Sequence, residues 1–114
     1  MIIADHHVRV WRYQHATDMR KSFKGLIGLV KNQLQEDPLS GHLFVFINKR
    51  KTYMKILYFA QSGFCIWSKQ LIQGQFSFDE DDSIKKHMSW AQLQWLIEGI
   101  KIEKVRYMKR YKAL

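Results

Sequence analysis

The sequence predicts an α+β fold: an antiparallel β-meander of about four to five strands packed with two main helices. Three observations carry that expectation. Apolar residues recur at helical spacing in two stretches, Met19 to Leu34 and Trp90 to Ile97. Between them, residues 42–78 are rich in Phe, Tyr, Ile, Val and Trp and are cut into short runs by turn-like stretches. Those turns are too short for a crossover, so successive runs pair antiparallel.

Taken in order, Val8-Arg-Val-Trp-Arg-Tyr13 holds a β-branched and aromatic run suited to an edge strand. A helix near 18–35 follows. Thr17 or Asp18 can cap it, since their side-chain oxygens accept from N–H groups left unpaired in the first turn. Met19, Phe23, Leu26, Ile27, Val30 and Leu34 form its stripe, and Glu36-Asp37-Pro38 stops it. Strands are expected at 42–48, 53–60 and 64–69, with a weaker one at 75–78. The turns between them are Asn48-Lys49-Arg50-Lys51-Thr52, Gln61-Ser62-Gly63 and a stretch around Gly74. The first two of these runs are apolar on both faces, which places them centrally, with a helix layer over one face. Residues 79–87 read as a polar loop. Ser89 and Gln92 then make a capping box, Trp90, Leu93, Leu96 and Ile97 make the stripe, and Gly99 supplies a left-handed stop. Phe23, Leu26, Ile27, Val30, Phe46, Leu57, Trp90 and Leu93 are expected to be mostly buried.

The chain has 114 residues, 46% of them hydrophobic and 14% aromatic, which suits a single domain over 1–114 with 1–7 and 101–114 as flexible or docked termini. No staple is required, and the one cysteine, Cys65, excludes an internal disulfide. It sits in the apolar run Phe64-Cys65-Ile66-Trp67, as a buried, inert thiol would. The first residues carry no basic n-region and no long apolar stretch, and no segment approaches the roughly 20 apolar residues of a membrane span. The expected compartment is the cytoplasm, with no membrane partner.

Charge is the most informative property. Lys and Arg number 19 against 10 Asp and Glu, a net charge of +9. Such a surplus favours a polyanionic partner, nucleic acid first. Arg20, Lys24 and Lys31 fall within about 40° of one another on the expected first helix, with Lys21 to one side. A stripe of this kind can follow a phosphate backbone, although a charged outer face also serves any amphipathic helix. Lys49-Arg50-Lys51 occupies a hairpin turn, where cations reach phosphates or merely keep the turn soluble. The tail interleaves Lys104, Arg106, Lys109, Arg110 and Lys112 with Tyr107 and Tyr111, combining phosphate contacts with rings on which an unpaired base can stack.

Several chemistries are absent from the pattern. Gly25-Leu-Ile-Gly28 beside Lys24 has the spacing of a backbone-clamping loop but lies within a continuous helical stripe. His6, His7, His15, His42 and His87 lack paired zinc spacing. Asp79-Glu80-Asp81-Asp82 lacks the glycine turn and distal glutamate of a calcium loop. With no nucleophile elbow, phosphate loop or convergent carboxylates, no catalytic residue and no cofactor is expected.

Three stretches occur together in order: Thr17-Asp18-Met19-Arg20-Lys21, Asp37-Pro-Leu-Ser-Gly-His-Leu-Phe-Val-Phe46, and Ser89-Trp-Ala-Gln-Leu93 running to Glu98-Gly-Ile100. Lys55-Ile-Leu-Tyr58 and Gly63-Phe-Cys65 fall between them. Over residues 8–100 the chain resembles the TnpB (Orf2-like) accessory proteins of the insertion-sequence-66 family of bacterial transposable elements. The resemblance implies a part in transposition beside a separate, larger transposase, and brings no enzymatic activity with it. It also implies that Asp18 caps the first helix, that Arg20 and Lys21 begin its basic face, and that Gly41 allows a tight entry into a strand. Ser22 departs from the glycine common after the Arg-Lys pair, and the basic tail is longer than the motif requires. The leading expectation is a non-catalytic factor binding the element's DNA ends or the transposase–DNA complex. A pure protein-interaction module docking on the transposase is the second. A small basic metal-free ribonuclease is the third, and leaves the family stretches unexplained.

Overall fold

The computed structural model describes residues 7–99. The chain forms β1 (Val10–Tyr13), α1 (Phe23–Asn32), β2 (Leu43–Ile47), β3 (Tyr53–Ala60), β4 (Gly63–Gln70), β5 (Lys85–Met88) and α2 (Trp90–Glu98). The five strands make one sheet in the order β4-β3-β2-β1-β5. β2, β3 and β4 are the expected antiparallel meander, and β5 also runs antiparallel to β1. The α+β class stands, on a mixed sheet.

One pair is parallel. β1 lies beside β2 in register Val10 to Leu43, so it is an interior strand and not the edge strand expected. A parallel neighbour needs a crossover of a dozen or more residues, and the segment containing α1 supplies it. Two further expectations are corrected. Residues 85–87, assigned to a polar loop, belong to the strand Lys85–Met88, held by pairing with Val10–Tyr13. Residues 75–78 are not a strand; Phe76 is buried in the core, and its N–H reaches back to Lys51 O at 2.7 Å.

Side chains alternate along the strands and fill two cores. Leu43, Val45 and Ile47 of β2 join Met54 and Ile56 of β3 and Leu93 and Leu96 of α2 on one face. Phe44, Phe46 and Leu57 join Leu26, Val30 and Leu34 on the other. The helices therefore cover opposite faces, where a single covered face was expected. This is the physical reason that all five residues of β2 are buried.

The helix termini differ from each other in their capping. α1 begins at Phe23, behind Ser22, which makes no side-chain cap. Phe23 lies on the apolar stripe but remains 45% exposed at the first helical residue, against expectation. Ile27 and Trp90 are half-buried, while the other residues of the expected core are buried. α1 closes early, through a left-handed Gln35 (φ 54°) and a bond from the Glu36 N–H to Val30 O at 3.0 Å. Gly41, at φ 86°, turns the chain into β2 as the family resemblance implied. α2 has the expected capping box. Ser89 Oγ accepts from the Gln92 N–H at 3.1 Å, and Gln92 Oε1 accepts from the Ser89 N–H at 2.8 Å. Gly99 ends it in the left-handed region. Replacing Ser89 with Ala is expected to cost about 0.5–2 kcal/mol, to be measured as a lower midpoint in urea unfolding.

Candidate nucleic-acid interface

The basic residues divide by what their charges touch. Arg20 and Lys21 lie in a turn that precedes α1, not on the helix itself. Asp18 does not cap α1. Its carboxylate instead accepts from the Arg20 backbone N–H at 2.9 Å and from the Arg20 guanidinium at 2.7 Å. Those bonds hold the Asp18 carboxyl down to about 2, the side-chain bond contributing most. A lowered carboxyl stabilises the turn fully above its ordinary value of 3.8, and that contribution is lost as pH falls towards 2. A carboxyl-carbon NMR titration should place the Asp18 midpoint near 2, and Arg20→Ala should move it up. A midpoint at the ordinary value in the parent would show that the ion pair is not kept in solution.

Lys24 and Lys31 stand on the exposed side of α1. Seven residues separate them, about 20° around the axis and roughly 10 Å along it. Lys21 is brought alongside by Gly25. A Cβ built there would meet the Lys21 side chain at 3.1 Å, so glycine leaves the groove in which Lys21 lies.

Lys49 and Arg50 are exposed at the tip of the β2–β3 hairpin, and the tip is well braced. Asn48 Oδ1 accepts from the backbone N–H groups of Thr52 and Tyr53 at 2.9 and 3.0 Å. The carbonyls of Arg50 and Thr52 accept from the Gln75 side chain and the Leu71 N–H. Lys51 adopts a left-handed φ of 61° and turns away, pairing with Glu80 at 3.2 Å. The Thr17 N–H donates to Ile47 O at 2.9 Å, which ties the Arg20–Lys21 turn to the same end of the sheet as this tip. The remaining expected contacts, Lys104, Arg106, Lys109, Arg110 and Lys112, lie outside the described residues.

A second set of cations holds the fold together, and sequence reasoning missed it. Lys55 donates to the carbonyls of Met19 and Lys21 at 2.8 and 2.7 Å, fixing the turn before α1. Lys85 donates to Leu34 O at 2.9 Å, pairs with Glu36, and sits over the Trp11 ring, fixing the segment after α1. Lys69 donates to Ile97 O at 2.7 Å at the end of α2. Each binds carbonyls at or near a helix end, and for α2 these carry the negative end of the helix dipole. The signal was present for Lys55, because a cation between Ile56 and Met54 in an interior strand must find acceptors.

Among the described residues Arg12 is the most buried charge, 2% exposed. Its guanidinium stacks 4.2 Å over the Phe78 ring and donates to Asp79 O at 2.6 Å. Burial lowers its pKa, opposed by Glu80, Asp81 and Asp79. The acidic stretch is thus part of the architecture. Glu80 holds Lys51, and Asp81 pairs with Lys86 at 3.6 Å and accepts from Gln14 and Ser83. Those contacts, Ser83 first, keep the Asp81 carboxyl at about 2. Among the described residues no group of three His, Cys, Asp or Glu side chains is placed to hold a metal ion.

A family model for IS66 Orf2-like proteins matches residues 8–107. The uncharacterised protein y4hO of Sinorhizobium fredii is 34% identical over 100 residues, covering 88% of this chain and 87% of that protein. The uncharacterised protein y4jC of the same organism is 30% identical over 106 residues, covering 93% and 91%. No solved structure shows a significant match.

Proposed function

The chain belongs to the IS66 Orf2-like family, and from that premise we propose that it is a non-catalytic accessory factor that grips the phosphate backbone of its element's DNA, alone or in complex with the transposase. Family membership ties the chain to transposition of a bacterial insertion sequence. The finer reading rests on one observation, the division of the cations. Arg12, Arg20, Lys51, Lys85 and Lys86 interact with acidic residues or nearby backbone. Among the described residues, Lys21, Lys24, Lys31, Lys49 and Arg50 have no ion pair and are exposed. Those five lie on the pre-helical turn, the outer side of α1 and the hairpin tip; Arg9, also exposed and without an ion pair, stands apart from them, its carbonyl bonded to the Leu43 N–H at the other end of β2. Cations kept clear of carboxylates are free to release counterions from DNA.

The non-catalytic part of the proposal follows from the same division. Glu36, Glu80 and Asp81 hold lysines, and Asp79 supplies a carbonyl to Arg12, so these acidic residues stabilise the fold instead of converging on a reacting atom. Among the described residues no helix is long and apolar enough to cross a membrane, and the proposed place of action is the cytoplasm, on the nucleoid when DNA is bound.

Fluorescence anisotropy with labelled DNA from the element's ends tests this directly. Binding that weakens steeply with salt is expected. Failure to bind at low salt, with capture of the transposase intact, would establish the protein-interaction module instead. Cleavage of DNA or RNA that disappears on replacing a single His, Asp or Tyr would overturn the non-catalytic assignment.

A further inference from the structure

We propose that Arg20, held in place by Asp18, reads guanine in the major groove of the bound DNA, a step that rests on the DNA binding proposed above and adds base recognition to it. Arg20 lies in the turn before α1, and its side chain is 92% exposed. An exposed arginine ordinarily samples many rotamers. This one is fixed. Its Nε donates to both Asp18 carboxylate oxygens at 3.1 Å, and its Nη2 donates to Oδ2 at 2.7 Å. Those bonds occupy one side of the planar guanidinium. Its end, formed by Nη1 and the outer N–H of Nη2, is left as a two-donor fork with no acceptor among the described residues.

The turn beneath is equally fixed. Asp18 Oδ1 accepts from the Arg20 backbone N–H at 2.9 Å, and Asp18 O accepts from the Lys21 N–H at 3.1 Å. From the sheet, Lys55 holds the Met19 and Lys21 carbonyls on either side of Arg20, and the Thr17 N–H is bonded to Ile47 O. An exposed ion pair contributes little to stability. What this one provides is a pair of donors set in direction, so a ligand meets it without the entropic cost of ordering a long side chain.

Geometry and charge select the ligand. Two parallel donors require two adjacent acceptors. In the major groove only guanine presents them on a single base, as N7 and O6. A phosphate also offers two oxygens, but the Asp18 carboxylate stays ionised beside the fork and leaves the pair without net charge. Such a pair releases few counterions and would set one anion near another, whereas the neutral edge of a base carries no such penalty. The phosphates are left to Lys21 and Lys24, which follow in the chain, exposed and without an ion pair.

Fluorescence anisotropy with duplex from the element's ends, its guanines replaced in turn by 7-deazaguanine, removes N7 while leaving base pairing and charge intact. The parent should lose on the order of tenfold in affinity at one or more of those guanines. Arg20→Ala should be insensitive at the same positions, so that the two losses do not add. Asp18→Asn keeps the acceptor that closes the turn but not the carboxylate charge. It should weaken the discrimination and steepen the log–log salt slope by about 0.9, as Arg20 is released to a phosphate. An Asp18 that merely braced the turn would move the unfolding midpoint and neither of these. A parent that binds every substituted duplex equally overturns guanine reading and leaves phosphate binding standing. So does an Arg20→Ala loss that is the same on all duplexes and flattens the slope by about 0.9, which makes Arg20 a phosphate contact. A chain that binds no end DNA, with or without the transposase, overturns the DNA reading and this inference together.

Discussion

Replacing Leu57 with alanine is expected to destabilise the protein by about 2–5 kcal/mol. Leu57 is fully buried in β3, opposite Phe44 on one side and Ile66 on the other, within the core that α1 closes with Leu26 and Val30. Truncation removes apolar area and leaves a cavity that neighbours in a close-packed layer only partly fill. Domains of ordinary size have about 5–15 kcal/mol in hand, so the loss is a large part of the total. It should appear in urea unfolding as a lower midpoint with the same slope. Phe23→Ala supplies the contrast, on the same stripe but 45% exposed, and is expected to cost less than about 1 kcal/mol. A loss below about 0.5 kcal/mol at Leu57 would contradict its place in the core.

That pair of residues also marks where the sequence was legible. Period and capping chemistry are local, and elements that depend on them were readable: β3 has the bounds expected, and α2 begins at its capping box and ends at Gly99. Elements fixed by distant partners were not. Lys85–Met88 has no apolar pattern, because its ladder comes from β1, some seventy positions earlier. The start of α1 was misplaced because Asp18 has the chemistry of a cap, whereas its carboxylate meets Arg20 and Lys55 holds the turn from across the fold. The parallel placement of β1 depends on its connection packing over the sheet, which four residues cannot announce. For the candidate interface, sequence showed which cations exist but not which are committed. Lys51 reads like Lys49 and Arg50 until Glu80 and Phe78 are seen beside it.

DNA binding through Lys21, Lys24, Lys31, Lys49 and Arg50 is expected to lose about 500-fold in affinity between 50 and 200 mM salt. Each phosphate neutralised on B-DNA contributes about −0.9 to the slope of log K against log salt, so five contacts give about −4.5, and a fourfold rise in salt multiplies through that exponent. A steeper slope means further contacts; if Lys104, Arg106, Lys109, Arg110 and Lys112 supply them, neutralising Lys109 with Arg110 should remove about two units. Changing Lys49 and Arg50 together to glutamine should flatten the parent slope by about 1.8, with little change in sequence preference, since phosphates carry no base information. Lys24 with Lys31 should behave the same way. Lys85→Met is the informative control. It removes an equal charge, but from a side chain that holds Leu34 O and Glu36, so it should lower the unfolding midpoint and leave the salt slope in place. If Lys85→Met flattens the slope as much as either double variant, total charge governs binding and the division of cations does not. If neither double variant alters the slope while both lose the transposase, the exposed cations serve a protein partner instead of DNA.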